Sequence, residues 1–190
     1  MMDSLTTREA IRLVAERLTD ELVVCTTGYT CRDMQAVCDR PGNFYMIGSM
    51  GLASSIGLGV ALAKPCTRVV IFDGDGALLM GLGNLSMIGG LAPRNLIHLV
   101  FDNEVFASTG RQPTYSASVP LDRMAAAAGY AVVLRAESPD QLTGGWEKIR
   151  TGNGPSFLLV KCHPDEGRPM ERVRLAPEAI TNQFMRTVRP

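Results

Sequence analysis

Six short apolar runs, each of strand length and each set off from the next by helical or turn-forming sequence, constrain this chain more than any other feature. They fall at residues 22–25, 44–47, 68–73, 95–101, 131–134 and 155–161. Between or around them the spacing predicts helices. The first opens on Thr6-Thr7-Arg8-Glu9, which reads as a capping box with Leu5 and Ala10 as a staple, and Ile11, Val14, Ala15 and Leu18 mark one face toward Thr19-Asp20. Further helical stretches are expected at 32–37, 78–91, 122–128, 139–149 and about 177–188. Strands alternating with helices in this way imply a three-layer, doubly wound, mostly parallel α/β sheet with helices on both faces. The 190 residues suit one domain, 1–190, with no internal repeat or linker.

Composition narrows the function classes. Lys plus Arg and Asp plus Glu both number 19, so the formal net charge is zero. That argues against a broad electrostatic grip on nucleic acid or an anionic membrane. No apolar run reaches the roughly 18–20 residues of a membrane span. Met1-Met2-Asp3-Ser4 lacks the basic start of a signal peptide, so a soluble, cytoplasmic protein is expected. The 5 cysteines include no CxxC pair. Cys25 and Cys162 read as small core side chains. Cys31 and Cys38 stand two helical turns apart, but only His98 and His163 could complete a metal site with them.

In a doubly wound sheet, ligands bind beyond the carboxyl ends of the strands. The segments there are 26–30, 48–51, 74–77 and 102–114, all rich in Gly, Thr, Ser, Asp or Asn. The stretch from Gly48 to Ala63 is dominated by small residues, which on its own predicts close helix packing rather than chemistry. In Gly74-Asp75-Gly76 the glycines allow a sharp turn and a close approach to a ligand, while the carboxylate projects at a helix start. Asn103 follows Asp75 by 28 positions, the length of one helix and one strand, so both would emerge side by side. An Asp carboxylate, an Asn amide oxygen and the Val105 carbonyl, joined by phosphate oxygens and water, would satisfy magnesium.

Gly74-Asp75-Gly76 together with Asp102-Asn103 resembles the bipartite signature of thiamine diphosphate-dependent enzymes. Asp39-Arg40-Pro41, Asn43-Phe44-Tyr45-Met46, the run from Gly48 to Ile56, and Thr109-Gly110-Arg111-Gln112-Pro113-Thr114 resemble the sulfopyruvate and phosphonopyruvate decarboxylases. The likeness runs from about residue 5 to 185, and in length the chain is similar to a separate beta subunit that holds only the diphosphate-binding domain. The resemblance implies thiamine diphosphate and Mg2+ as cofactors. It gives Asp75, Asn103 and the Val105 carbonyl to the metal. Gly76 and Ala77, with Thr27, Gly28 and Tyr29, go to the diphosphate beside Gly74. Gly48, Ser49 and Met50 go to the aminopyrimidine, with Met50 under the bend between the rings. Asp102 and Glu104-Val105 depart from the commoner pattern, and Glu104 brings an unexplained negative charge.

The same resemblance implies decarboxylation of a small 2-oxo acid, 3-sulfopyruvate to sulfoacetaldehyde first among the candidates. It also requires a glutamate against the pyrimidine, and none of the glutamates here matches that motif. An alpha, pyrimidine-domain-type partner subunit would supply it in a hetero-oligomer, with or without self-association of this chain. Arg111 and Arg40 are candidates for the substrate's second anionic group, with Gln112 and Thr114 as neutral donors. A phosphonopyruvate decarboxylase subunit, another 2-oxo acid decarboxylase half, and a non-catalytic nucleotide- or phosphate-binding regulatory module stand as alternatives.

Overall fold

The computed structural model describes residues 5–167 and 169–189, so the Met1–Ser4 reading lies outside the described residues. Six strands form one sheet: β1 (Leu22–Cys25), β2 (Asn43–Tyr45), β3 (Val69–Gly74), β4 (Leu96–Asp102), β5 (Val132–Ala136) and β6 (Ser156–Lys161). Their order is β2-β1-β3-β4-β6-β5 and every pairing is parallel. The helices are α1 (Thr7–Ala15), α2 (Tyr29–Val37), α3 (Ala53–Ala63), α4 (Asp75–Met80), α5 (Asn84–Leu91), α6 (Leu121–Ala128), α7 (Pro139–Arg150) and α8 (Pro177–Val188). Among the described residues no helix is long and apolar enough to cross a membrane.

Parallel strands buried on both faces read as continuous apolar runs, and alternate residues feed opposite cores. Val70 and Phe72 of β3 pack with α1, α2 and α7, where Trp146 and Met34 are fully buried. Val69 and Ile71 face the other way, onto α3, α5 and α6. The helices therefore form two layers around the sheet, as expected. Cys31 belongs to the first core, whereas His98 contacts Tyr130 of the second, so the sheet separates them and no Cys31–His98 metal pair forms.

The N-terminal capping box is present: the Glu9 amide donates to Thr6 Oγ1 at 3.3 Å and the Thr6 amide to Glu9 Oε2 at 2.8 Å. The Thr6 amide and the Thr6 hydroxyl, which donates to the same Oε2 at 3.0 Å, hold the Glu9 carboxyl below the usual range.

The expected helix at 78–91 is two helices, α4 and α5, divided by Gly81–Gly83. The cause is a backbone crossing. A Cβ at Gly81 would lie 2.1 Å from the Gly51 carbonyl oxygen, so only glycine lets the 48–52 loop pass there. Asn84 fixes the crossing by donating to Gly51 O at 3.2 Å and to Ser54 Oγ at 3.0 Å. The close packing expected of the small-residue stretch is seen at Gly57, where a Cβ would come within 2.4 Å of Ile71.

The winding order reverses at β1: β2 lies on one side of it and β3 on the other. This switch point splays the loops after β1 and β3 apart and leaves a crevice at their carboxyl ends. The Thr26 amide donates to Phe72 O at 2.8 Å, which keeps the two loops at one level as they leave the sheet.

Candidate functional site

The crevice is a cleft that encloses about 630 Å³ of non-atom space, open solvent included. Every segment singled out beyond the strands contributes to its wall: Thr27 and Tyr29 after β1, Met50 after β2, Gly74, Asp75, Gly76 and Ala77 after β3, and Asn103 and Val105 after β4. Gly28 sits one residue back as the N-cap of α2, at φ 95°, with Ser108 closing over it. Gly48 and Ser49 do not line the cleft. They are exposed along a separate groove with Phe44, Leu52 and Ile180.

Asp75 opens α4 and is only 3% exposed. Its Oδ2 accepts a hydrogen bond from Thr114 Oγ1 and lies 3.1 Å from Ser116 Oγ. Ser116 also reaches Asp102 Oδ1 at 2.7 Å, so two carboxylates share one pair of hydroxyls. Burial raises the Asp75 carboxyl above its ordinary range, and the nearby Asp102 charge acts in the same direction. Asp102 is balanced by Lys161, whose Nζ lies 2.9 Å from Oδ2.

Lys161 also pairs with Glu104, which accounts for that residue's charge. Glu104 itself adopts φ 62° and its carbonyl accepts from the Thr114 amide at 2.8 Å. With the Phe106 amide donating to Gln112 O at 2.8 Å, the loop after β4 folds back on itself and delivers Thr114 and Ser116 to Asp75.

Asn103 donates to Thr7 Oγ1 at 3.1 Å and accepts from the Val105 amide at 3.2 Å through Oδ1. The Val105 carbonyl accepts from the Ala107 amide at 2.9 Å. Each of these oxygens has two acceptor positions, so each retains one for a ligand. The first turn of α4 has no side-chain cap, and Gly76 and Ala77 bring its amides to the cleft wall. Gly76 leaves room for the Phe106 ring, which a Cβ there would meet at 2.4 Å.

Beneath the turn, Gly74 donates to Asp73 Oδ1 at 3.0 Å, and Asp73 Oδ2 meets His98 Nε2 at 3.3 Å. His98 Nδ1 reaches Tyr130 Oη at 3.0 Å. This chain of polar groups is buried in the second core and props the Gly74 turn from below.

Three of the residues expected near a substrate are engaged elsewhere. Thr114 is buried against Asp75 rather than open to the cleft. Gln112 is turned into its own loop tip, accepting from Thr109 at 2.9 Å and the Gly110 amide at 3.0 Å. Arg111 is exposed and donates to Asp165 O at 2.7 Å. Arg40 is excluded by position. It binds Thr19 O at 2.8 Å, Asn43 Oδ1 at 3.0 Å and Glu21 O, all at the entry end of β1, opposite the cleft.

Two other wall residues, Thr7 and Asp165, carry no local signal in the sequence, whereas Thr26 belongs to the segment 26–30 singled out there. Thr7 arrives from α1 and Asp165 from the segment after β6. Thr26 also lines the cleft, and its buried hydroxyl oxygen has no hydrogen-bond partner among the described residues. An orphaned buried hydroxyl is costly unless something completes it.

Known proteins place this geometry. The family profile described as "Thiamine pyrophosphate enzyme, C-terminal TPP binding domain" matches residues 25–160, which span β2 to β5, all but the last residue of β6, and the whole Asp75–Asn103 arrangement. A phosphonopyruvate decarboxylase of Streptomyces viridochromogenes is 42% identical over 173 residues, covering 91% of this chain but 43% of its own length. The chain therefore spans less than half of that relative. A sulfopyruvate decarboxylase subunit beta of Methanothermobacter thermautotrophicus is 39% identical over 181 residues, 95% of this chain and 94% of its own length. Among solved structures, the benzoylformate decarboxylase of Polynucleobacter necessarius superposes with a TM-score of 0.72 at 18% identity, covering 86% of this chain and 34% of its own, a likeness of fold alone. Profile, relatives and fold agree: the chain belongs to the thiamine pyrophosphate enzymes, and carries their C-terminal TPP-binding domain.

Proposed function

We propose that this chain is the diphosphate- and magnesium-binding subunit of a two-chain 2-oxo acid decarboxylase, acting on 3-sulfopyruvate to release carbon dioxide and sulfoacetaldehyde. The carrying observation is convergence: Asp75, Asn103 and Val105, from loops far apart in sequence, wall one cleft together with the uncapped turn at Gly76 and Ala77.

The donor set fits the cofactor. A carboxylate, an amide oxygen and a carbonyl are the hard oxygen ligands magnesium prefers. The orphaned Thr26 hydroxyl and the first-turn amides of α4, which has no side-chain cap, suit phosphate oxygens. Asp75, Asn103 and the Val105 carbonyl would hold the metal, Gly76, Ala77, Thr27, Gly28 and Tyr29 the diphosphate, and Met50 would support the bend between the rings. The chemistry the bound cofactor supplies is a nucleophilic carbon for the 2-oxo group and an electron sink as the carboxylate leaves. The chain's own work is electrostatic and positional. Thr114 and Ser116 hold Asp75 in one orientation, and the Asp102–Lys161 pair stops a second buried carboxylate from repelling the anionic ligand.

The cleft's acidic side chains are Asp75 and Asp165, and no glutamate lines it among the described residues. The proton-activating glutamate would come from an alpha-type partner in a hetero-oligomer, with this chain's 190 residues as one diphosphate-binding domain. A relative of matching length that is itself a beta subunit supports this division. A second reading, phosphonopyruvate as substrate, is favoured by the 42% identity to a phosphonopyruvate decarboxylase.

The test is to purify this chain and a glutamate-bearing partner and follow carbon dioxide release from sulfopyruvate, phosphonopyruvate and pyruvate. Turnover of sulfopyruvate only by the mixture is expected. Full turnover by this chain alone would refute the two-chain proposal, and a preference for phosphonopyruvate would select the second reading. Failure to take up thiamine diphosphate would leave a non-catalytic phosphate-binding module.

A further inference from the structure

A second cavity adjoins the cleft and extends beyond the residues assigned to the metal. It contains about 570 Å³ of open space and is walled by Thr27, Gly28, Arg32, Ile47, Arg172 and Val173. Thr27 lines both spaces, so they meet at one side chain. Two arginines thus line one cavity, from helix α2 and from the segment that follows β6.

Among the described residues neither Arg32 nor Arg172 takes part in an ion pair, whereas Arg135, Arg150 and Arg174 each do. Both also border a wider surface space that includes Asp39 and Glu171. Among the described residues the Thr27 cavity has no carboxylate in its wall, and so it is the side on which an anion is favoured. The Arg32 guanidinium carbon lies 5.2 Å from the centroid of the Tyr29 ring, which holds it next to a residue of the cofactor cleft. Gly28 gives α2 no side-chain cap, so the amides of its first turn add a second source of positive potential at the boundary of the two spaces. Like charges facing one cavity repel, and an anion between them removes the repulsion while gaining charge-assisted hydrogen bonds.

We propose that this cavity receives the second anionic group, a sulfonate or phosphonate, of a three-carbon 2-oxo acid whose keto end lies in the adjoining cleft. Arg32 and Arg172 are then the specificity-determining residues. The assignment rests on the decarboxylase reading of that cleft. It replaces Arg111 and Arg40, which are engaged elsewhere.

The test is calorimetric titration of the full chain, wild type and Arg32→Gln, Arg172→Gln, the double variant and Arg32→Lys, with sulfopyruvate, phosphonopyruvate and pyruvate. Wild type should bind the two dianions about tenfold or more tightly than pyruvate. Each glutamine variant should lose about tenfold for the dianions, with pyruvate binding and thiamine diphosphate uptake unchanged. Arg32→Lys should keep most of the affinity. Dianions that bind no tighter than pyruvate, or variants that weaken all three ligands equally, would overturn the subsite. The two readings fail separately. Absent thiamine diphosphate uptake by wild type sinks the decarboxylase reading, whereas normal uptake with arginine-independent dianion binding sinks only the subsite.

Discussion

Replacing Asp75 by asparagine should make the cofactor-free chain more stable while abolishing its cofactor binding. Two hydroxyl protons serve two buried carboxylates in the wild type. Thr114 donates to Asp75 Oδ2, and Ser116 donates to Asp102 Oδ1 at 2.7 Å. The 3.1 Å contact between Ser116 Oγ and Asp75 Oδ2 is then left without a proton whenever Asp75 is ionised. An asparagine amide supplies the missing donors. Its NH2 group can reach both hydroxyls, Thr114 can turn to Ser116 at 2.9 Å, and Ser116 keeps Asp102. Converting one lone-pair clash into a hydrogen bond and removing one desolvated charge is worth about 1–2 kcal/mol. For a chain of this size that raises the melting temperature by about 2–8 °C.

The sign with pH follows from burial, which lifts the Asp75 carboxyl above its unfolded value. The protonated form favours folding, so the wild type has that contribution in full below about pH 4 and loses it as pH rises through the folded value. The variant has no such group. Its advantage should therefore be small near pH 4 and largest near pH 8. Thermal melts by circular dichroism at both values, with cofactor titrations at neutral pH, provide the assay. A variant that melts below wild type at neutral pH, or that keeps metal-dependent cofactor binding, refutes the reasoning.

Lys161→Met should cost about 1–3 kcal/mol in urea unfolding, because it strands Asp102, which is 1% exposed, whereas Glu104→Ala, at an exposed partner of the same lysine, should change stability by less than about 0.5 kcal/mol. Gly76→Ala should cost about 1–3 kcal/mol and weaken cofactor binding measured by calorimetry, since the added methyl would sit 2.4 Å from the Phe106 ring and push the loop after β4 outward. Tyr130→Phe should cost about 1–3 kcal/mol in the same unfolding assay by leaving His98 Nδ1 buried without its 3.0 Å partner, and a loss below about 0.5 kcal/mol would show that the Asp73–His98–Tyr130 chain does not support the Gly74 turn.

What the sequence discloses here depends on how local the cause is. The strands, the capping box at Thr6 and Glu9 and the terminal helix Pro177–Val188 are set by periodicity and neighbours a few residues apart, and all are found where expected. The break between α4 and α5 is set by the Gly51 carbonyl crossing at Gly81, a contact between segments that no helical pattern can report. The same holds in the site. The post-strand rule and the glycines around Asp75 bring Asp75, Asn103, Val105 and Met50 to one cleft. Thr114 reads as an exposed loop donor because its partner, Asp75, lies 39 positions away, and Ser116 gives no signal for the same reason. Glu104 lacks an explanation until Lys161, 57 positions later, is beside it. Arginines are the hardest case. Arg40 lies in a recognisable motif yet supports the far end of β1, while Arg32 and Arg172 share a cavity only because the chain after β6 returns to α2.

Every oxygen and amide assigned to the metal and the diphosphate belongs to this one chain, so the isolated protein should take up thiamine diphosphate when magnesium is present. Calorimetric titration of the purified chain decides it. One equivalent bound with magnesium, lost on chelation and lost in Asp75→Asn, is the expected result. No uptake by the wild type, or uptake that survives both chelation and the Asp75→Asn change, would contradict it.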